Sequence, residues 1–198
     1  MTALQTIEIG QALEYFERIR SQIVEVSEDL SEAQWTFKPA GDRWSIAEIL
    51  EHMALAEERI LGPIREQLAQ APSPEAGRDS RTIDAIVLER MPDTSLKARS
   101  PAVMQPVGKW TRGAVLARIF RNYKRLAEFV ASTSDLREHV LPSAPLQFLT
   151  SGEFETMDGY QFALTAAAHD QRHVRQILEV KADPNYPRAE IAGAVGVA

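Results

Sequence analysis

His169-Asp170-Gln171-Arg172-His173, late in the chain, sets two histidines four residues apart. On a helix, such positions share a face, with Cβ atoms about 5–6 Å apart. Two imidazoles on one rigid helix therefore reach a single metal ion. The surrounding sequence predicts that helix, from about Gly159 to Lys181. Phe162, Ala166, His169, His173, Ile177 and Val180 recur in steps of four and three, and Asp158 with Gln161 form a capping box at its start. Both histidines thus occupy seam positions whose other members are apolar. A buried imidazole needs a polar partner, and one shared metal ion satisfies both rings.

A third histidine, His52, sits in another helical stretch. Ser45 and Glu48 form the clearest helix start in the chain, each side chain taking the other's unpaired backbone N–H. Ile49, Met53, Ala56, Ile60 and Leu68 carry this second helix to about Gln70, with Pro63 expected to bend it or end it early. His52 falls on the edge of the apolar stripe, between Ile49 and Ala56. Three neutral imidazoles with a free fourth position have the make-up of a catalytic rather than a structural zinc-type site.

The remaining chain reads as scaffold. Leu13, Phe16, Ile23, Val26 and Leu30 predict a first helix from about Ile7 to Glu28. A linker over Ala71 to Ser80 precedes a short helix, Thr82 to Met91. Pro92, Pro101 and Pro106 then forbid a long helix, so Leu96 to Gly108 reads as an extended strap across a bundle. Thr111 caps a third long helix running to about Thr133, through Leu116, Ile119, Tyr123, Leu126 and Val130. Its Arg118, Arg121 and Arg125 read as a solvated basic stripe, the alternative being a docking surface for carboxylates. Leu136 to Asp158 reads as irregular, and the tail after Asp183 as loose.

At 198 residues the chain suits one domain, residues 1–182, followed by a tail, 183–198. Lys and Arg number 22 against 28 Asp and Glu, for a net charge of −6, and no basic region argues for a nucleic-acid partner. The absence of cysteine excludes thiolate ligands, a cysteine nucleophile and a disulfide framework. No basic start followed by an apolar run reads as a signal peptide, and no apolar stretch is long enough for a membrane span. The expected location is the cytoplasm.

The pattern Trp44-Ser45-x-x-Glu48-x-Leu50-x-His52, with His169-x-x-x-His173-x-x-Gln176-Ile177 far downstream, resembles the DinB superfamily (DinB/YfiT-like proteins). The resemblance runs from about Gln11 to Lys181 and includes the proline-rich strap. It implies an all-α, DinB-like four-helix bundle with the strap between the second and third long helices. It also implies a divalent metal, zinc or nickel, on His52, His169 and His173. The chemistry it implies is transfer of a low-molecular-weight thiol to an electrophile. The alternatives are metal-dependent hydrolysis and a non-catalytic, metal-stabilised binding or stress-response module. Some relatives dimerise, so a homodimer belongs to the same expectation.

Independently of that resemblance, a metal-free bundle remains open, its histidines satisfied by one another and by water. Gln176, one turn after His173, is a candidate to orient a ligand or bound water, or else makes an interhelical hydrogen bond. Arg172 is a candidate contact for an anionic cofactor, the plainer reading being a surface salt bridge. No general base stands out: the capping box explains Glu48, and Asp170 is expected to face solvent or a neighbouring helix. His139 lies in the irregular segment and reads as unrelated to the metal.

Overall fold

A computed structural model describes residues 6–97 and 100–188. Four long helices make the bundle: α1 (Thr6–Ser27), α3 (Ile46–Leu68), α5 (Arg112–Ser132) and α7 (Gly159–Lys181). Around the bundle axis the order is α1, α7, α3, α5, so α3 and α7, which carry the three histidines, are neighbours. Shorter elements complete the chain: α2 (Glu32–Thr36), α4 (Ser80–Arg90) and α6 (Ala144–Thr150), with strands β1 (Val140–Pro142) and β2 (Thr156–Asp158).

Helix starts follow the local chemistry. Ser45 and Glu48 make both halves of their capping box, as do Asp158 and Gln161. Ser31 and Gln34 form a third box that starts α2, a helix the apolar pattern does not announce. Pro63 does not end α3, which continues to Leu68. The core lies where the long helices meet, and Ile19, Ile23, Ile46, Leu50, Met53, Ile119 and Ile177 are among its fully buried side chains.

The segment expected to be irregular is ordered. β1 and β2 pair antiparallel, with Val140 opposite Asp158 and Pro142 opposite Thr156, and α6 fills the connection. The ribbon ends directly at the cap of α7. There the backbone N–H of Gly159 donates to the Leu136 carbonyl at 2.7 Å. A Cβ on Gly159 would meet Leu136 Cδ2 at 2.7 Å and Leu68 Cδ1 at 2.8 Å, so a larger residue would have to displace both leucine side chains.

The strap is anchored from both α3 and α7. Glu51 accepts the backbone N–H groups of Val107, Gly108 and Lys109 at 3.3, 2.9 and 3.0 Å. Gly108 allows this turn at φ 69°. From α7, Arg172 donates to the carbonyls of Asp93 and Leu96, and Arg175 donates to that of Pro92. Residues 183–188 are not loose: Tyr186 packs edge-on against Phe37 and the Pro187 carbonyl accepts from Gln34. The rest of the tail, 189–198, lies outside the described residues.

A buried ionic cluster joins the ribbon, α1, α4 and α7. Arg137, 8 % exposed, contacts Asp84 at 2.7 Å, Glu8 at 2.9 Å and Asp158 at 3.0 Å. Arg78 reaches the same Asp158 and donates to Gln161. Burial pushes the Asp158 carboxyl up, and Arg137 opposes that shift. Removing the guanidinium leaves a carboxylate that water does not reach with Arg78, at 3.4 Å, as its remaining described cation. Arg137→Ala is therefore expected to lower unfolding free energy by about 3–5 kcal/mol, read from urea denaturation. A loss below about 1 kcal/mol, typical of an exposed pair, would contradict this role.

Candidate metal centre

α3 and α7 bring His52, His169 and His173 together, with ring centroids 4.4 to 5.2 Å apart. His52 Nε2 lies 3.3 Å from His169 Nε2, and His173 Nε2 lies 3.1 Å from it. The potential ligand atoms of all three lie within 4.8 Å of one another. Tetrahedral coordination at about 2.0–2.1 Å puts neighbouring nitrogens about 3.3 Å apart, so the spacing fits a zinc-sized ion.

The outward nitrogens establish which atom of two of these rings is bare. His52 Nδ1 is 2.7 Å from the Met104 carbonyl oxygen. A carbonyl only accepts, so Nδ1 carries the proton. His173 Nδ1 is likewise 2.7 Å from Gln176 Oε1. Burial, then the charge of His169, pushes the His52 pKa down to about 4. The same two influences hold His173 well below the ordinary histidine range. At pH 7 both rings are therefore neutral, with Nδ1 protonated and an Nε2 lone pair facing inward. His169 Nε2 faces both lone pairs, and one N–H there could satisfy only one of them. A cation satisfies all three.

The surroundings are asymmetric. His52 and His173 are each 4 % exposed, whereas the His169 side chain is 21 % exposed. Access is therefore from the His169 side. Trp44 covers His52, ring centroids 4.9 Å apart. Ser100 Oγ lies 3.5 Å from His52 Nδ1, so the strap roofs this part of the site. A separate cleft of about 1200 Å³, lined in part by Tyr15, Arg18, Arg78 and Gln171, opens between α1 and α4 and includes none of the three histidines.

Other candidates fall as follows. Gln176 does not cross to another helix: its amide oxygen accepts from His173, one turn back. Arg172 makes no salt bridge among the described residues: it donates to the backbone carbonyls of Asp93 and Leu96, which ties the start of the strap to α7. Glu48 serves the capping box and pairs with Lys38. His139 Nδ1 lies 2.7 Å from the Ala71 carbonyl, apart from the triad. Of the basic stripe on α5, Arg118 pairs with Glu58 and stacks on Trp110. Asp170 faces a neighbouring helix and not solvent: it is 0 % exposed and accepts from Tyr123 on α5. Sequence reasoning missed Met104 and Glu51, and it quoted Trp44 in the family pattern without placing it over His52. Glu51 carried one faint signal, an acid beside a core histidine within an apolar stretch.

The depressed His52 pKa has a consequence for metal-free protein. The unfolded chain takes up this proton near pH 6.5 and the folded one only near pH 4, so the unfolded state binds more protons between them. Stability is therefore expected to fall as pH drops through that window. His52→Asn should flatten the slope, His52 alone contributing on the order of 2–3 kcal/mol across it. Denaturation midpoints of metal-free protein from pH 7 to 4 check this, and equal slopes for the two proteins would contradict it.

Comparison with known proteins agrees with this architecture. The model of the DinB superfamily matches residues 15–177. The uncharacterized protein YuaE of Bacillus subtilis (strain 168) is 25 % identical over 156 residues, covering 77 % of this chain and 86 % of the relative. Among solved structures, YfiT from Bacillus subtilis is described as a probable metal-dependent hydrolase with an unusual four-helix bundle topology. It is similar in fold with a TM-score of 0.59 at 10 % identity, covering 91 % of this chain and 90 % of that one. The match to the family model runs from within α1 to within α7 and includes all three histidines, and the chain belongs to the DinB superfamily.

Proposed function

We propose that the protein is a metal-dependent enzyme. In this reading His52, His169 and His173 hold one divalent cation, zinc or nickel, and leave a position for a nucleophile from solution. That nucleophile is a low-molecular-weight thiol, transferred to a small electrophilic substrate. The observation that carries the metal is the inward convergence of the three Nε2 atoms at 3.1 and 3.3 Å, two of them bare. A divalent cation with three neutral nitrogen ligands acts as a Lewis acid and lowers the pKa of the water or thiol that it binds.

The chain's own residues prepare the site. The Met104 carbonyl and the Gln176 amide hold two rings in the tautomer that presents Nε2. Trp44 and the strap keep water from His52. The partial exposure of His169 gives an approach to the fourth position.

The acids near the triad are already engaged. Glu48 is held by its capping box and Lys38, Glu51 by three strap N–H groups, and Glu57 by Asn122. Asp170 lies on the Nδ1 side of His169, away from the converging atoms. None is free to take a proton from an attacking water. The cation lowers the pKa of bound water and bound thiol alike, so either nucleophile ionises without such a base. The description of YfiT as a probable metal-dependent hydrolase supports hydrolysis as the second reading.

Protein purified without a histidine tag is expected to contain close to one metal ion per chain by elemental analysis. His52→Ala should weaken binding by more than the roughly 10–100-fold that loss of an outer partner costs. Metal-loaded protein should consume a chlorinated aromatic electrophile with a small thiol, and chelation should abolish that rate. Turnover of an ester without thiol would instead support hydrolysis. A chain without measurable metal affinity would overturn both.

A further inference from the structure

Two of the three triad rings have an acceptor on Nδ1 at 2.7 Å, Met104 for His52 and Gln176 for His173. Among the described residues, His169 lacks one at hydrogen-bond distance. Its Nδ1 faces Asp170 Oδ1 at 3.6 Å. That oxygen is buried and has no hydrogen-bond partner among the described residues. A buried carboxylate oxygen left unsatisfied is costly, so its position beside this particular nitrogen asks for a reason.

The other side of Asp170 is built to hold it still. Tyr123 on α5 donates its hydroxyl to Oδ2 at 3.0 Å. Glu57 on α3 is also buried, and Asn122 donates to its Oε2 at 2.9 Å. Burial first, then the charge of Asp170 and a hydrogen bond with it, pushes the Glu57 carboxyl well up. Asn122, Glu57 and Tyr123 thus form a rigid, hydrogen-bonded backing. The orphaned Oδ1 is left pointing toward the histidine.

Resting on the reading that the triad holds a metal, we propose that Asp170 is the positioning residue for His169. Its free Oδ1 accepts the His169 Nδ1–H when the ring turns its Nε2 onto the cation. A ring movement of under about 1 Å brings the pair to ordinary hydrogen-bond length. All three imidazoles then have an outer acceptor that fixes tautomer and orientation, and the carboxylate makes His169 the most basic of the three ligands. The same movement satisfies the buried oxygen.

Zinc titration and imidazole NMR of the full chain test this. In the zinc-loaded wild type, long-range ¹H–¹⁵N spectra should show His169 protonated at Nδ1, with that proton in a strong hydrogen bond. Asp170→Asn should weaken zinc binding about 10–100-fold and weaken the His169 Nδ1–H signature, leaving the tautomers of His52 and His173 unchanged. A general structural defect would disturb all three rings alike. Should the variant fail to fold by far-UV circular dichroism, the wild-type spectrum decides. If the wild type binds zinc but His169 coordinates through Nδ1, or if Asp170→Asn binds zinc as tightly as wild type, the role of Asp170 is overturned and the metal reading stands. If the wild type binds no zinc or nickel, the metal reading itself falls.

Discussion

Three inward-facing imidazole nitrogens form the constraint on which this structure depends. They come from positions 52, 169 and 173, so α3 and α7 must lie side by side in a fixed register. Neutral imidazole lone pairs do not attract one another, and burial removes the water that would separate them. The bundle meets the difficulty by holding the Nδ1 atoms of His52 and His173 from outside, through a strap carbonyl and a side-chain amide. Their protons are thereby committed outward, and the interior is left with a set of donors suited to a cation.

The strap shows how fold and site depend on each other. Its backbone is not part of the helical bundle, yet it supplies the acceptor that fixes His52. Glu51, the residue before His52, binds three successive strap N–H groups, and Arg172, the residue before His173, binds the carbonyls of Asp93 and Leu96 at the start of the strap. Each of these neighbours of a triad histidine therefore holds the strap. The prolines that keep this segment from becoming a helix leave its backbone groups available for those contacts.

Much of the bundle was legible because it rests on local chemistry. The Ser45–Glu48 and Asp158–Gln161 boxes start α3 and α7 where the sequence puts them. The spacing of 169 and 173 likewise fixes a shared face. What the sequence concealed was non-local. The partners of Arg172 lie more than seventy residues upstream, and those of Arg137 come from three other elements. Asp170 was hard to read for a different reason. α7 packs against α1, α3 and α4, and buries Ala163, Leu164, Ala166, Ala167 and Ala168 around most of its circumference. One apolar stripe does not describe such a helix, so a residue off the stripe need not meet solvent. The ribbon and α6 were missed because strands of three residues are too short to show alternation.

Whether the triad is a metal centre is measured most directly by X-ray absorption at the edge of the bound metal in protein loaded with one equivalent. The account predicts a first shell containing three imidazole nitrogens at about 2.0–2.1 Å, with the outer-ring scattering of imidazole and one exchangeable ligand. A shell of oxygen alone, or one with fewer than three imidazoles, would place the ion elsewhere on the chain and contradict it.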